Sequence, residues 1–238
     1  MRLAIETSSD RASVALGRTA ADAIEREVIG ARRHAGALLP MIEELLREAG
    51  TSLDDVSALV LSDGPGSFTG LRVGAAVAKA LAQARGLPLW TAPSLMVRAA
   101  GVARPGVTVL AVSNALRGDL YAAAYRFEEV GVRTLLAPTV ARPETLVNGP
   151  LAPDLLVGEA PEPAARELER WAGTPIVAPP EGAPRARVLL ALVDIPGGAH
   201  QIEAVQGWEP EYGRPAEAQA RWETAHGRPL SDTLGRSG

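Results

Sequence analysis

Residues 57–85, SALVLSDGPGSFTGLRVGAAVAKALAQAR, decide the fold class of this chain. The stretch 57–64 is an apolar run of the kind that forms a strand buried on both faces of a parallel sheet. The stretch 71–85 has helical periodicity and carries only three charged residues. Such an Ala-rich helix must be covered on more than one side. A buried strand, a Gly-rich turn and a buried helix together predict an α/β fold.

The residues before this stretch predict three strands and one helix. Residues 1–7 and 12–17 are short apolar runs separated by turn-forming residues, which is typical of a hairpin. Residues 21–29 alternate apolar and charged side chains, as a half-exposed third strand does. Residues 34–49 place their apolar side chains on one stripe, which indicates an amphipathic helix.

The second half of the chain repeats this order. A strand and a short helix that Ser94 would cap close the first half. The later elements are strands over 107–113, 119–128, 132–140, 154–160 and 175–180, and helices from Pro143, over 163–173 and over 184–195. We therefore predict two like-folded lobes, each a mixed sheet flanked by helices. The expected boundaries are an N-terminal lobe over 1–105, a smaller C-terminal lobe over 106–205 and an irregular tail over 206–238.

Composition excludes several classes of protein. The 238 residues include no cysteine, so a disulfide framework, a thiolate zinc site and a cysteine nucleophile are all excluded. A hydrophobic content of 47% is too high for a disordered chain, and a net charge of −4 provides no polybasic surface for nucleic acid. No secretory leader or membrane span is recognisable, so a cytoplasmic protein is expected.

The Gly-rich segment over 63–72 has two possible functions. Three glycines and two hydroxyls before a helix resemble an anion cradle. The spacing fits neither a Walker A loop, nor a dinucleotide fingerprint, nor a nucleophile elbow. The alternative is a tight turn whose Ser67 or Thr69 caps the helix. The candidate binding residues here are Gly64, Gly66, Ser67 and Thr69.

Metal and acid–base chemistry have few candidates. The three histidines lie far apart in the sequence, and Leu38 stands one helical turn after His34, where a second ligand would be needed. Glu6 ends the first strand, at the mouth of the cleft expected between two lobes. A carboxylate there could hold a metal–phosphate or a water, or it could simply bond to the hairpin.

Several longer stretches identify a family. They are MRLAIETSSDRASVAL, HAGALLPMIEELL, SDGPGSFTGLRVG, RGDLYAAAY and, in the tail, PEYGRPAEAQ. Together they resemble the TsaB family, the non-catalytic partner in the bacterial machinery that makes threonylcarbamoyladenosine on tRNA. The resemblance implies the two-lobed fold of the actin-like ATPases and sugar kinases (ribonuclease H-like lobes), which agrees with the repeated order of elements.

The resemblance also implies partners. The catalytic paralogue TsaD would pair with the N-terminal lobe, the ATPase TsaE would join them, and tRNA would be contacted through the complex. Catalytic relatives carry an HxxxH metal pair, of which Leu38 replaces the second member. Asn114 stands where many TsaB chains have a carboxylate. We therefore expect a non-catalytic subunit without metal or cofactor.

Small residues on the predicted 71–85 helix would allow close approach of a partner helix, and a homodimer through the same surface remains open. The alternative is that both faces of this helix are covered within its own lobe. The predicted interface residues are Leu38, Ile42, Leu71, Gly74, Ala75, Ala78 and Ala82.

Two other functions stay open at this point: a small ATP-dependent phosphotransferase of the same superfamily, and a metallopeptidase-like hydrolase. Direct tRNA binding is a further variant.

Overall fold

The computed structural model describes residues 1–30 and 33–213, which form two mixed β-sheets and six α-helices. The rest of the predicted tail, including His226 and the end of the PEYGRPAEAQ stretch, lies outside the described residues. The prediction of an α/β fold with two mixed sheets flanked by helices is confirmed.

The first sheet has the strand order β11-β5-β4-β1-β2-β3. β1 runs antiparallel to β2 and parallel to β4, so β1 joins the N-terminal meander to the parallel half of the sheet. The all-buried pattern of β4 agrees with the apolar run from which its double-sided burial was predicted. The strands are β1 (Arg2–Glu6), β2 (Arg11–Gly17), β3 (Ile24–Ile29), β4 (Ala58–Ser62), β5 (Leu89–Ala92) and β11 (His200–Gln201).

The second sheet repeats this order as β10-β9-β6-β7-β8. β6 is antiparallel to β7 and parallel to β9, as β1 is to β2 and β4. The repeated meander expected from the sequence is therefore present. The strands are β6 (Thr108–Asn114), β7 (Leu120–Phe127), β8 (Val132–Ala141), β9 (Leu155–Gly158) and β10 (Ile176–Val177).

The helices form three layers around the two sheets. The first two pack side by side on the outer face of the first sheet, and the fourth and fifth cover the outer face of the second. The third and sixth lie between the sheets. In chain order the helices are α1 (His34–Glu48), α2 (Phe68–Arg85), α3 (Ser94–Ala100), α4 (Pro143–Val147), α5 (Ala164–Ala172) and α6 (Ala186–Leu192), with a 3-10 turn at Leu53–Asp55.

The two helices between the sheets are exchanged between the halves of the chain. α3 comes from the first half but packs on β6 and β7, whereas α6 comes from the second half and packs on β1 and β2. One apolar core is therefore continuous across both sheets. The division at 105 and 205 stays a prediction, and the packing shows that α6 and β11, within 106–205, lie on the first sheet.

Local differences from the sequence predictions have clear causes. α2 begins at Phe68, because the hydroxyl of Ser67 accepts the amide hydrogen of Gly70 and caps the helix. Ser94 does not cap α3. Its hydroxyl accepts a hydrogen bond from the amide of Gly64 at 3.0 Å, and Pro93 takes the N-cap position. Within the described ranges no helix is long and apolar enough to cross a membrane.

Candidate functional site

The candidate site lies where the carboxyl ends of β1 and β4 meet the second sheet. Glu6 ends β1, Ser62 ends β4 and Asp63 follows directly. Crevices outside the carboxyl ends of strands are the usual ligand sites of open α/β sheets. All three side chains are buried. Burial and, to a lesser extent, the charge of Asp63 raise the pKa of the Tyr125 phenol on β7 of the second sheet.

The glycines of the 63–72 segment are required by close packing. A Cβ at Gly66 would overlap the carbonyl oxygen of Ser8, and one at Gly70 would overlap that of Thr7. Gly64 has φ +108°, and a Cβ there would overlap the carbonyl oxygen of Glu211. The segment is thus pressed against the β1–β2 turn on one side and the end of the described chain on the other.

Several backbone amides of this segment donate to groups of the protein itself. The Ser67 amide donates to the Ser8 carbonyl at 2.7 Å, and the Gly70 amide to the Ser67 hydroxyl at 3.2 Å. The Thr69 side chain is exposed. The packing thus accounts for Gly64, Gly66 and Ser67 as parts of a tight, capped turn, while an anion site at these residues stays a prediction.

Glu6 is fully buried and bonds to the hairpin. Its Oε1 accepts the amide hydrogen of Ser8 at 2.6 Å, which is one of the two functions predicted for it. Burial raises the pKa of Glu6, and the bond to Ser8 opposes that rise. Its Oε2, like the hydroxyls of Ser62 and Tyr125, has no hydrogen-bond partner among the described residues. The site therefore holds unused acceptors in a buried setting.

Asp63 is the second acid in this cluster whose pKa is raised by burial. Its side chain is buried, and burial raises its pKa to about 7. The nearby charges of Glu211 and Glu6 act in the same direction, whereas the hydroxyl of Thr91 favours the ionised form. At neutral pH this carboxyl is consequently divided between its protonated and ionised forms.

Arg98 supplies the positive charge. It lies on α3 with only 4% of its surface exposed and donates to the carbonyl of Gly182 at 2.8 Å. Its Nη1 is 3.8 Å from a carboxylate oxygen of Glu159, and its charge favours ionisation of Glu6. Burial lowers the pKa of Arg98. Its guanidinium thus ties the first half of the chain to loops of the second.

Sequence reasoning found Glu6 but not Asp63, Arg98 or Tyr125. Arg98 had a signal, because it is the one charged residue in an otherwise apolar helix. Asp63 had another in its position directly after a buried strand. Nothing in the local sequence marks Tyr125, whose neighbours in space come from the other half of the chain.

The last described residues close one side of the site. We call residues 208–213 the C-terminal strap. The Glu211 amide donates to the Asp63 carbonyl at 2.7 Å, and the Lys79 ammonium donates to the Trp208 carbonyl, also at 2.7 Å. The strap therefore joins the end of β4 to the middle of α2.

His34 and Leu38 lie on the buried face of α1. His34 is buried, with its Nε2 3.2 Å from the carbonyl oxygen of Asp10, and Leu38 is fully buried in the outer core of the first sheet. Within 1–30 and 33–213 no three His, Cys, Asp or Glu side chains are grouped so that they could hold a metal ion.

The residues predicted for a partner interface face inward. All seven are buried within the chain, where they pack α1 and α2 against the first sheet and against each other. Other residues form the outer surface of these helices, among them Leu39, which is 52% exposed, and the exposed Arg72 and Ala76. A partner docking on this side would meet those residues, and the interface itself stays a prediction.

Two mixed sheets of like strand order, with a cleft at the carboxyl ends of β1 and β4, define an α/β protein built from two similar halves. The family model described as "TsaD: tRNA N6-adenosine threonylcarbamoyltransferase" matches residues 27–171. Curated TsaB proteins are similar over more than half of the chain. The chain belongs to this family and, within it, to the TsaB proteins.

The relatives are named as tRNA threonylcarbamoyladenosine biosynthesis proteins TsaB. That of Escherichia coli is 40% identical over 132 residues, which are 55% of this chain and 57% of that protein. That of Haemophilus influenzae is 34% identical over 61% of this chain and 66% of its own length. A crystal structure of a Pseudomonas aeruginosa protein with similarity to the peptidase YeaZ covers 90% of this chain and 99% of its own, at 29% identity and a TM-score of 0.72.

Proposed function

We propose that this protein is a non-catalytic, activating subunit for the synthesis of N6-threonylcarbamoyladenosine in tRNA. TsaD would transfer the threonylcarbamoyl group to the adenosine beside the anticodon, and this chain would hold TsaD in its active form. The names of its TsaB relatives support the pathway. The proposed substrate and partners also imply a cytoplasmic location.

The observation that carries the non-catalytic assignment is the environment of Leu38. The resemblance implies that catalytic relatives have a second metal-binding histidine at this position of the first long helix. Here the position is occupied by an apolar side chain with no exposed surface, packed among other apolar residues. His34, the match to the first histidine, is buried with one ring nitrogen directed at a backbone carbonyl.

The proposed surface for TsaD is the outer face of α1 and α2. Leu39 exposes an apolar side chain there, and Ala76 lies on the exposed side of α2. A second copy of this chain would compete for the same face, which accounts for the possible homodimer. The net charge of −4 favours leaving most of the tRNA contact to the other subunits.

Reconstitution of the modification tests the proposal. Purified TsaD, TsaE, tRNA and the threonylcarbamoyl-adenylate donor should give modified tRNA only when this protein is added. Ala76→Glu should lower the yield by introducing a charge at the interface. Ala191→Glu, a matched change at an exposed alanine of α6, should leave the yield unchanged. Full modification without this chain, or an unchanged yield with Ala76→Glu, would contradict the function or the surface respectively.

The choice of Ala76 follows from its exposure. Ala78, two residues later, has 1% of its surface exposed, so a glutamate there would disrupt the core rather than report on a partner.

The other candidate functions have separate tests. Tight nucleotide binding by the isolated chain would favour a phosphotransferase, bound metal would favour a hydrolase, and salt-sensitive tRNA binding would favour direct RNA contact.

A further inference from the structure

A cavity of about 550 Å³ lies beside Asp63, between the two sheets. Its floor is the end of β4 with Asp63, one wall is formed by β7 and β8 of the second sheet, and the opposite wall is formed by the C-terminal strap. Both halves of the chain therefore contribute to it. The volume is that of a small-molecule site.

The charges that line this cavity have one sign. Asp63, Glu209 and Glu211 contribute carboxyl groups, and among the described residues no lysine or arginine lines it. Lys79 bonds to Glu209 at 3.3 Å but is not part of the lining. Asp63 is 7% exposed and feels the charge of Glu211 directly. Asp63 at the floor and Glu211 at the rim supply carboxylate acceptors, and the imidazole of His200 is the one basic side chain among the described lining residues.

Apart from His200 and Thr139, the remaining side chains of the lining are apolar or aromatic. Tyr121 and Trp208 present ring surface, and three prolines, Pro65, Pro93 and Pro138, present rigid apolar surface. Aromatic faces attract ammonium groups, while proline surfaces accommodate an alkyl or aryl stem. The cavity thus combines an acidic floor with walls that suit an apolar body.

We propose that this cavity binds a primary ammonium group carried on an apolar or aromatic stem. The ammonium would donate to the carboxylate of Asp63 and to Glu211 at the rim, and the stem would lie along Trp208 and Tyr121. The ligand is either a free amine or the lysine side chain of a partner protein, since the chemistry recognised is the same. This inference does not depend on the proposed function in tRNA modification.

Chemical-shift titration of the full chain with 2-phenylethylamine tests the assignment. We expect saturable shifts for residues of the floor and the strap. The uncharged isostere 2-phenylethanol should bind at least about tenfold more weakly, because it lacks the charge-assisted hydrogen bond. N-acetyl-lysine N-methylamide, run in parallel, identifies the source: binding tighter than that of phenylethylamine indicates a partner's lysine, and weaker binding indicates a free amine.

Two variants locate the site. Asp63→Asn should weaken phenylethylamine binding at least about tenfold. Glu211→Gln, an exposed change that leaves the strap's backbone bond to Asp63 in place, should weaken it severalfold. Glu181→Gln, at an exposed acid outside the cavity lining, is the matched control and should bind as the parent does. Equal binding of the amine and the alcohol, or unchanged binding by both cavity variants, would overturn the proposal.

Discussion

Replacing Asp63 by asparagine should remove a large part of the pH dependence of this protein's stability. Burial raises the pKa of Asp63 from 3.8 to about 7 in the folded protein, whereas the unfolded chain retains the lower value. Between these pH values the folded state holds a proton that the unfolded state has released. The stabilisation from this group is therefore fully present below about pH 4 and is lost as the pH rises through 7.

The size of the effect follows from the two pKa values. A shift from 3.8 to about 7 corresponds to about 4 kcal/mol over the whole range, and to roughly 3 kcal/mol between about pH 5 and about pH 8.5. Asparagine has nearly the shape of the protonated acid but does not titrate. The parent protein should consequently lose roughly 3 kcal/mol more than Asp63→Asn across that interval.

Urea unfolding of both proteins at a series of pH values measures this difference. The other ionisable groups are common to both proteins, so subtracting one curve from the other leaves the contribution of Asp63 together with its coupling to neighbouring charges. Parallel curves for the two proteins, or a parent that gains stability relative to the variant as the pH rises, would refute the reasoning. Either result would mean that Asp63 is ionised in the folded protein well below pH 7.

Two further changes test the packing around the cleft. Gly70→Ala should destabilise the fold by about 1–3 kcal/mol in urea unfolding, because its methyl group would overlap the backbone of Thr7. The matched control is Gly36→Ala, inside α1 with open space around it. This control should stabilise the fold by about 0.5–1 kcal/mol. Arg98→Met should cost about 3–5 kcal/mol, since it leaves the Gly182 carbonyl unpaired and removes a cation facing buried acid; a loss below 1 kcal/mol in thermal unfolding would contradict the assigned contacts.

Much of the fold followed from local pattern, because the pattern and the packing agree. The apolar run that became β4 and the stripe that became α1 each specify their own burial. The pairing of β11 with β5 was not predictable, since two residues carry no periodicity. The exchange of α3 and α6 between the sheets was also missed, because helical periodicity shows that a face is buried and not which sheet covers it.

The site was predicted less well for a related reason. Glu6 stood out because it ends a strand, but the properties of Asp63 depend on burial beneath the strap, about 150 residues later in the chain. The small residues of α2 that were predicted to meet a partner are buried within this chain, and the interface itself stays a prediction. In the structure, Gly74 and Ala75 let α2 approach its own sheet.

The GPGSFTG segment joins parts of the chain that are distant in sequence. Its glycines contact the β1–β2 turn and the strap, and its Gly64 amide bonds to Ser94 at the start of α3. Any larger residue at Gly66 or Gly70 would separate α2 from the end of β1. The segment therefore fixes the position of α2 relative to the cleft. The proposed TsaD surface is the outer face of that same helix. A partner bound there would therefore be coupled to Glu6 and Asp63 through this turn. Substitutions in the turn should consequently affect partner binding, even though its buried residues would not contact the partner.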